Sequence, residues 1–192
     1  MKLILASNSP RRKEILQKFG YDFTVLSSDF NETDVKPDPV AASLYFAKNK
    51  ALSVFYGLSE TMRGEAAVIG ADTVVFYDGK ILGKPKDADD AFKTLKLLSG
   101  NTHEVITAFS VVGEKFQVYG YDKSLVEFNA LSDGLIAEYV ATNKPLDKAG
   151  SYGVQDGYGL VRAVVGSTYN VIGFPIEKIK TVLDAVGCKK FF

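Results

Sequence analysis

Strand-like and helix-like segments alternate along the first half of the chain, and this alternation limits the possible folds more than any other feature. The apolar run at 2–6 predicts a buried strand. The segment at 10–20 begins with Pro and ends with Gly, as a short helix does. Hairpin signals at 78–79 and 113–115 interrupt the alternation. Because alternation favours parallel strands and hairpins require antiparallel ones, we predict an α/β fold with helices flanking a mixed, twisted sheet.

The remaining segments are assigned by the same rules of apolar spacing, capping residues and turn residues. We expect strands at 21–26, 67–77, 80–82, 104–112, 116–129 and 159–165, helices opening at Pro39, Asp87, Ser132 and Pro175, and loops at 27–38 and 58–65. The chain has 192 residues, with no internal repeat and no obvious linker. This length allows one large domain or two small lobes that share a core, and we expect a single domain over residues 1–192.

The composition excludes several kinds of site. One Cys and one His cannot form a disulfide within the chain, a multi-Cys zinc site or a His-rich metal site. A Ser-His-Asp triad is barely possible, because His103 stands at a strand start, where a structural role is more common. Hydrolytic chemistry is therefore expected to use carboxylates, Lys, Arg or an oxygen-bound metal ion.

The charges of the chain balance, with 23 basic and 23 acidic side chains. A balanced surface argues against nucleic acid as a partner, since sequence-independent binding needs a basic surface. No apolar run reaches about 18 residues, and the run at 2–6 is too short for a signal peptide. We expect no membrane segment and a cytoplasmic location.

The segment 7–12, Ser-Asn-Ser-Pro-Arg-Arg, joins the first strand to the first helix and is a candidate anion site. Arg11 and Arg12 lie in the first helical turn, where positive charge opposes the helix dipole. A bound anion would reverse that penalty, and hydroxyls, backbone N–H groups and guanidinium groups all suit a phosphate. The alternative is that both Arg side chains are solvated beyond a well-capped helix.

Asp72 interrupts the apolar strand run at 67–77. A buried carboxylate is costly unless its charge has a partner, and a metal ion, a Lys or a catalytic water could each be that partner. Gly70 leaves room for the close approach of a ligand or of another backbone. The alternative places Asp72 at a strand end, where it would only cap a turn.

Two turn-rich segments add candidate ligands. Lys84 lies on the stiff loop 83–85, which lacks the spacing of a Walker A loop. Gln155 ends the Gly-containing segment 147–155, and its amide can both donate and accept at the edge of a base. Each segment alone is more typical of an ordinary turn. Together with the Arg pair and the isolated acids, they indicate a site for a polyphosphate with a divalent cation held by carboxylates.

At these residues the sequence resembles the Maf family of nucleoside triphosphate pyrophosphatases, and the resemblance covers nearly the whole chain. Eight segments match in the order of the family: 7–12, 32–33, 47–51, 70–75, 83–85, 102–105, 147–155 and 170–175. One such segment would be weak, whereas eight in order are specific.

The resemblance implies two lobes around a deep cleft, a homodimer, and hydrolysis of the α–β phosphoanhydride of a nucleoside triphosphate with Mg²⁺ or Mn²⁺. The catalytic positions of the family fall on Asp72, Glu32, Lys50 and Lys84, with Glu32 and Asp72 also as metal ligands. The substrate-binding positions fall on Ser9, Arg11, Arg12, Thr73 and Gln155. Asp72 matches the proton acceptor of the family, and Arg11, Thr73 and Gln155 match positions tied to base preference.

The segment 147–155 resembles the branch that acts on dTTP and UTP, because the 7-methyl-GTP branch usually has Glu rather than Gln there. An amide can pair with the O4 and N3–H edge of thymine or uracil. Three positions depart from the family: Asn31 replaces an acid that commonly precedes the Glu, Ala108 replaces Gly, and Phe174 replaces Leu. The first removes one possible metal ligand, and the other two bear on packing.

The same phosphate-binding residues would also serve a protein that binds nucleotide without hydrolysing it, such as a regulator of cell division or septum formation. Asp72 and Glu32 favour the enzyme, since binding alone has no use for a carboxylate that activates water. We therefore predict a dTTP/UTP pyrophosphatase, with modified pyrimidine nucleotides as further candidate substrates and the regulator as the alternative.

Overall fold

The computed structural model describes residues 1–31, 38–188 and 190–191. The described residues form seven strands: β1 (Lys2–Leu5), β2 (Phe23–Val25), β3 (Ala66–Tyr77), β4 (Lys80–Leu82), β5 (Thr102–Gly113), β6 (Phe116–Phe128) and β7 (Val161–Val165). They also form the helices α1 (Pro10–Lys18), α2 (Pro39–Gly57), α3 (Glu60–Glu65), α4 (Ala88–Leu98), α5 (Asp133–Ala141), α6 (Thr168–Ile172) and α7 (Ile176–Ala185). Short 3-10 helices span Lys144–Asp147 and Ala149–Ser151.

The strands make one mixed sheet in the order β2-β1-β3-β5-β6-β7, and β4 pairs with the far end of β3. The β2-β1-β3 pairs are parallel, because a helix connects β1 to β2 and another returns the chain to β3. The pairs from β3 to β7 are antiparallel. The predicted mixed α/β fold is therefore confirmed.

Alternate side chains of β1 face opposite sides of the sheet, as in any strand, and both sets are buried because helices cover both sides. Leu3 and Leu5 pack into the core beneath α1 and α7, while Ile4 and Ala6 pack beneath α2. The central strand β3 is likewise buried on both faces over most of its length. A further core at the other end of the sheet includes residues of α4 and α5. The long strands β3, β5 and β6 thus run between the hydrophobic cores at the two ends of the sheet.

Gly70 brings α2 unusually close to β3. A Cβ atom at this position would lie 2.4 Å from the carbonyl oxygen of Ala47 and 2.7 Å from the backbone nitrogen of Ala51. Any larger residue would push the helix away from the strand. The close approach places Lys50, on the same helix, beside Asp72, two residues farther along the same face of β3.

Two short helices were not predicted. Helix α3 occupies the expected loop at 58–65 and begins at Ser59, whose hydroxyl accepts a hydrogen bond from the Met62 N–H at 3.4 Å. It buries none of its residues, so it leaves no apolar spacing in the sequence. Helix α6 has five residues and ends at Gly173, which is too short for helical periodicity to show. Within the described ranges, no helix has the length and apolarity needed to cross a membrane.

Candidate active site

A cavity of about 740 Å³ opens where β1 and β2 end and β3 continues. From β1 the chain continues to β2 on one side, while β3 lies on the other side of β1 and extends past the end of β1, paired with β5. In open α/β sheets, ligands bind in the crevice outside the carboxyl ends of strands at such a reversal of direction. The segments after β1, along the outer half of β3, and around 147–156 supply much of the wall.

The structure brings the predicted site residues together. Eight of them line this cavity: Ser9, Arg11, Arg12, Lys50, Asp72, Thr73, Lys84 and Gln155. The ninth, Glu32, lies outside the described residues. Residues separated by almost 150 positions in sequence therefore share one site.

Asp72 lies in the middle of β3, and the alternative that it caps a turn at a strand end is wrong. Its Oδ1 atom is 2.6 Å from Nζ of Lys50. The two side chains are 11% and 14% exposed, respectively, so the pair is shielded while still facing the cavity. A charge pair this close in a partly desolvated site is held in a fixed geometry, as a group that orients water must be.

The start of α1 supplies two Arg side chains that are held differently. Arg12 is fixed within the protein: Nε donates to the Gly173 carbonyl at 2.9 Å and Nη1 donates to Ser7 Oγ at 3.1 Å. Arg11 reaches across the cavity mouth, where Nη1 pairs with Asp147 Oδ2 at 3.1 Å. The Ser9 side chain makes no capping bond to the helix, so its hydroxyl is not committed to the helix start.

Thr73, next to Asp72, is fixed by a chain of hydrogen bonds that runs through its partner on β5 to α6. Its Oγ1 atom lies 3.0 Å from Thr107 Oγ1 and accepts from Arg12 Nη2 at 3.4 Å. Thr107 is in turn tied to Asn170, whose side-chain oxygen accepts from the Thr107 N–H at 3.0 Å. The local sequence gave no signal for Thr107 as a site-supporting residue, because its role depends on strand register.

The loop with Lys84 is tied to the segment that leads to Gln155. The Gly150 N–H donates to the Gly83 carbonyl at 3.0 Å. Gly150 has a φ of +69°, and a Cβ there would lie 2.8 Å from Val75 Cγ2, so this position needs glycine. Lys84 is exposed at the rim of the cavity.

Gln155 lies on a tight turn. The Asp156 N–H donates to the Gly153 carbonyl at 3.1 Å, which makes Val154 and Gln155 the central residues of a four-residue turn. Gln155 is exposed, while the turn borders the cavity. The amide is therefore presented from a defined backbone position.

The described lining of the cavity carries more positive than negative charge. Its cations are Arg11, Arg12, Lys50, Lys84 and Lys148, and its carboxylates are Asp72, Asp147 and Asp156. Burial opposes ionisation of Asp147, but hydrogen bonds from Lys148 and Arg11 outweigh it and lower the pKa of this carboxyl. An excess of cations suits a polyanionic ligand.

Sequence comparison agrees with this geometry. The family model described as Maf-like protein matches residues 2–186. The chain belongs to the Maf family. A relative from Alkaliphilus oremlandii named dTTP/UTP pyrophosphatase is 45% identical over 188 residues, covering 95% of this chain and 94% of the relative. A relative of the same name from Pyrococcus furiosus is 44% identical over 186 residues, covering 95% and 94%. One from Aquifex aeolicus, again of that name, is 43% identical over 185 residues, covering 95% and 94%.

The lone His of this Maf chain lies behind the site rather than in it. His103 is buried, and its Nε2 atom is 2.7 Å from the Tyr152 hydroxyl, while the rings of Phe128 and Tyr152 pack edge-on against it. Burial lowers the pKa of His103 to about 4, so the ring is neutral at pH 7. Among the described cavity residues Tyr152 is present and His103 is not. This position agrees with a structural role.

The described residues of the Maf site offer a carboxylate to a divalent cation but not a complete set of protein ligands. In the described part of the chain, no three His, Cys, Asp or Glu side chains lie close enough together to hold a metal ion by themselves. Mg²⁺ is commonly bound by one or two carboxylates together with substrate phosphates. Asp72, facing the cation-lined cavity, offers one such carboxylate.

Proposed function

We propose that this chain hydrolyses dTTP and UTP at the α–β phosphoanhydride, releasing a nucleoside monophosphate and pyrophosphate. The observation that carries the proposal is the Lys50–Asp72 pair, a carboxylate held 2.6 Å from an ammonium group inside a cavity lined mostly by cations. The names of the Maf relatives at 43–45% identity support this choice of substrates. A nucleoside triphosphate pyrophosphatase must bind a polyanion and activate water, and the site has groups for both tasks.

In the proposed complex, the cationic groups hold the triphosphate. Arg12 is fixed by bonds to Gly173 and Ser7, so it presents its charge without first having to be ordered. Arg11 has guanidinium donors beyond the one that contacts Asp147, and Lys84 adds an ammonium group to the cavity lining. Ser9 and the first N–H groups of α1 complete the anion site.

In the chemical step, Asp72 accepts a proton from a water molecule as that water attacks the α phosphorus. A new P–O bond forms to the water oxygen, the bond to the bridging oxygen between the α and β phosphates breaks, and pyrophosphate leaves with the bonding electron pair. Lys50 keeps the Asp72 carboxylate in position and balances its charge before the proton arrives.

We propose Mg²⁺ or Mn²⁺ as the cofactor, with Asp72 and Glu32 as protein ligands. When bound, the cation would neutralise charge on the phosphates. Asn31 stands where related sequences commonly have an acid, so this chain offers one carboxylate fewer beside Glu32. Removal of the cation by a chelator is expected to abolish turnover.

The part of the cavity beside Gln155 holds the base. Gln155 pairs its amide with the O4 and N3–H edge of thymine or uracil, and Thr73 and Arg11, which also line the cavity, contribute to the choice of base. A base that lacks this donor and acceptor pattern leaves the amide unpaired, which penalises the wrong nucleotide.

The decisive experiment measures pyrophosphate and orthophosphate separately. The purified protein is incubated with Mg²⁺ or Mn²⁺ and a panel of canonical and modified triphosphates. Pyrophosphate and monophosphate in equal amounts, fastest from dTTP or UTP, are expected. Release of orthophosphate alone would contradict cleavage between the α and β phosphates. Nucleotide-dependent stabilisation without any product would instead favour the non-hydrolysing regulator.

We further propose that residues 1–192 act as one domain, in the cytoplasm, and as a homodimer. The single continuous sheet supports one domain. Exposed Tyr119 and Tyr121 on β6 and Val165 on β7 are candidates for the contact between subunits. Sedimentation equilibrium across a range of protein concentrations tests the dimer.

A further inference from the structure

The turn that carries Gln155 is held by a buried polar group that does not belong to the cavity wall. Tyr139, on α5, is fully buried, and its hydroxyl donates to Asp156 Oδ2 at 2.6 Å. The same hydroxyl accepts a hydrogen bond from the Gly153 N–H at 3.0 Å. One hydroxyl therefore contacts both the first and the last residue of the turn.

The Asp156 carboxylate packs against the turn as well as bonding to Tyr139. A Cβ at Gly153 would lie 2.7 Å from both carboxylate oxygens, so the carboxylate occupies the space that a side chain would need. Lys148 Nζ lies 3.6 Å from Asp156 Oδ2, and the two side chains are 11% and 16% exposed. The negative charge of Asp156 is thus balanced in a mostly desolvated place.

These contacts fix the position of Gln155 without touching it. The backbone bond from Asp156 to Gly153 closes the turn, and Tyr139 fastens both of its ends to α5. An exposed side chain on an unfastened turn would sample many orientations, and each would have to be ordered when the base binds. A turn that is already held by these hydrogen bonds avoids most of the entropy loss of ordering Gln155 when the base binds.

We propose that Tyr139 and Asp156 are positioning residues that set base discrimination by holding the turn 153–156 in place. This inference rests on the proposed function, because it takes Gln155 as the group that contacts the base. Loss of the Tyr139 hydroxyl should weaken binding of the preferred bases, while nucleotides that gain little from Gln155 are less affected.

Tyr21 provides a matched control for Tyr139. It is also fully buried, and its hydroxyl also donates to an Asp side chain, Asp184 Oδ1 at 2.8 Å. It belongs to the core beneath α1 and α7 and is absent from the described lining of the cavity. Tyr139→Phe and Tyr21→Phe therefore remove the same chemical group from equally buried places.

The test measures kcat and KM for dTTP, UTP, dCTP and dGTP in the wild type and in both variants. Tyr139→Phe is expected to raise KM for dTTP and UTP about tenfold, the size of effect of one well-placed hydrogen bond, with a smaller change in kcat. The ratio of kcat/KM for dTTP to that for dGTP should narrow correspondingly. Tyr21→Phe should lower Tm and leave that ratio unchanged. An equal loss for all four nucleotides in Tyr139→Phe would overturn the proposal.

Two further measurements keep the proposal decidable. Hydrogen exchange in a peptide covering 150–158 should be faster in Tyr139→Phe than in Tyr21→Phe, and equal protection would count against the proposal. If Tyr139→Phe does not fold, Asp156→Asn should shift the ratio of kcat/KM for dTTP to that for dGTP in the same direction.

If the wild type releases no pyrophosphate from dTTP or UTP, the proposed function fails. The ratio of Kd values for dTTP and dGTP, measured by calorimetry on the same proteins, then still tests the role of Tyr139.

Discussion

The two ends that we assign to the cavity, one for the phosphates and one for the base, are built on different principles. The phosphate end presents charge on side chains from α1, from α2 and from the loop 83–85, together with the Lys50–Asp72 pair. The base end presents a neutral amide from a turn whose shape depends on buried groups behind it. Recognition at the first end should therefore depend mainly on charge, whereas recognition at the second end should depend on the hydrogen-bond donor and acceptor of the amide and on the position in which the turn holds them.

The largest expected effect is at the Lys50–Asp72 pair of the phosphate end. Asp72→Asn keeps the shape of the side chain but removes the base, so kcat should fall by about 10²–10⁴-fold. The fold should survive, which circular dichroism and thermal melting can check. Asp122→Asn is the matched control, because Asp122 also pairs with a Lys, Lys178, at 2.7 Å but lies on β6 outside the cavity lining. Full activity in Asp72→Asn would contradict the mechanism.

The buried His103, which bonds to Tyr152 behind the cavity wall, should make the stability of the protein depend on pH. The pKa of His103 is about 4 in the folded protein and about 6.5 in the unfolded chain, so the unfolded chain takes up the proton first as pH falls. The contribution of neutral His103 to the free energy of unfolding should be fully present above pH 6.5. It should fall by about 3 kcal/mol as the pH drops from 6.5 to 4.

Urea denaturation at several pH values measures this loss. His103→Gln can still bond to the Tyr152 hydroxyl but does not titrate, so its stability should change much less across the same window. The pKa of Asp147 is also lowered, but a carboxyl of this kind loses its contribution only as pH falls below its ordinary value of 3.8. An equal pH dependence in the wild type and in His103→Gln would show that another group is responsible.

The sequence predicted the large elements well because their apolar spacing is set by burial. Strand β3 was expected at 67–77 and spans Ala66–Tyr77, and α2 was expected to open at Pro39 and end near Gly57, as it does. Helix α3 was missed because it is held by its cap rather than by a buried face. Local patterns thus reveal long elements with a buried face and miss those that bury no residue, such as α3, or that are too short to show a period, such as α6.

The candidate site was predictable where residue chemistry was unusual for its surroundings. Asp72 in an apolar strand and Arg11 at a helix start each broke a local rule, and both line the cavity. The residues that support them follow ordinary local rules. Asp147 meets Arg11 from 136 positions away, and Tyr139 bonds to the Gln155 turn because α5 packs there. Such partners follow from tertiary packing, which no single segment encodes.

The charge of Lys84 should matter more than its shape. Lys84→Met is expected to raise KM for dTTP by about 30-fold, since a contact between a cation and phosphate is lost. Lys84→Arg retains the charge and should change KM by only a few-fold. Lys80→Met is the control, because Lys80 is exposed on the same hairpin but is absent from the described cavity lining. Equal losses in Lys84→Met and Lys84→Arg would show that the shape of Lys84, and not its charge, determines binding.

The smallest effect, about tenfold, is expected at the base end from Gln155→Glu. The carboxylate has nearly the size of the amide but can only accept hydrogen bonds, so it can still accept from N3–H of the base and no longer donates to O4. Values of kcat/KM for dTTP and UTP should fall through KM, while kcat for bound substrate stays near that of the wild type. Gln17→Glu, on the exposed face of α1, adds the same charge away from the base and should leave both constants unchanged. If Gln155→Glu instead lowers kcat/KM equally for every nucleotide, its charge is acting on the triphosphate, and the two ends of the cavity are not independent.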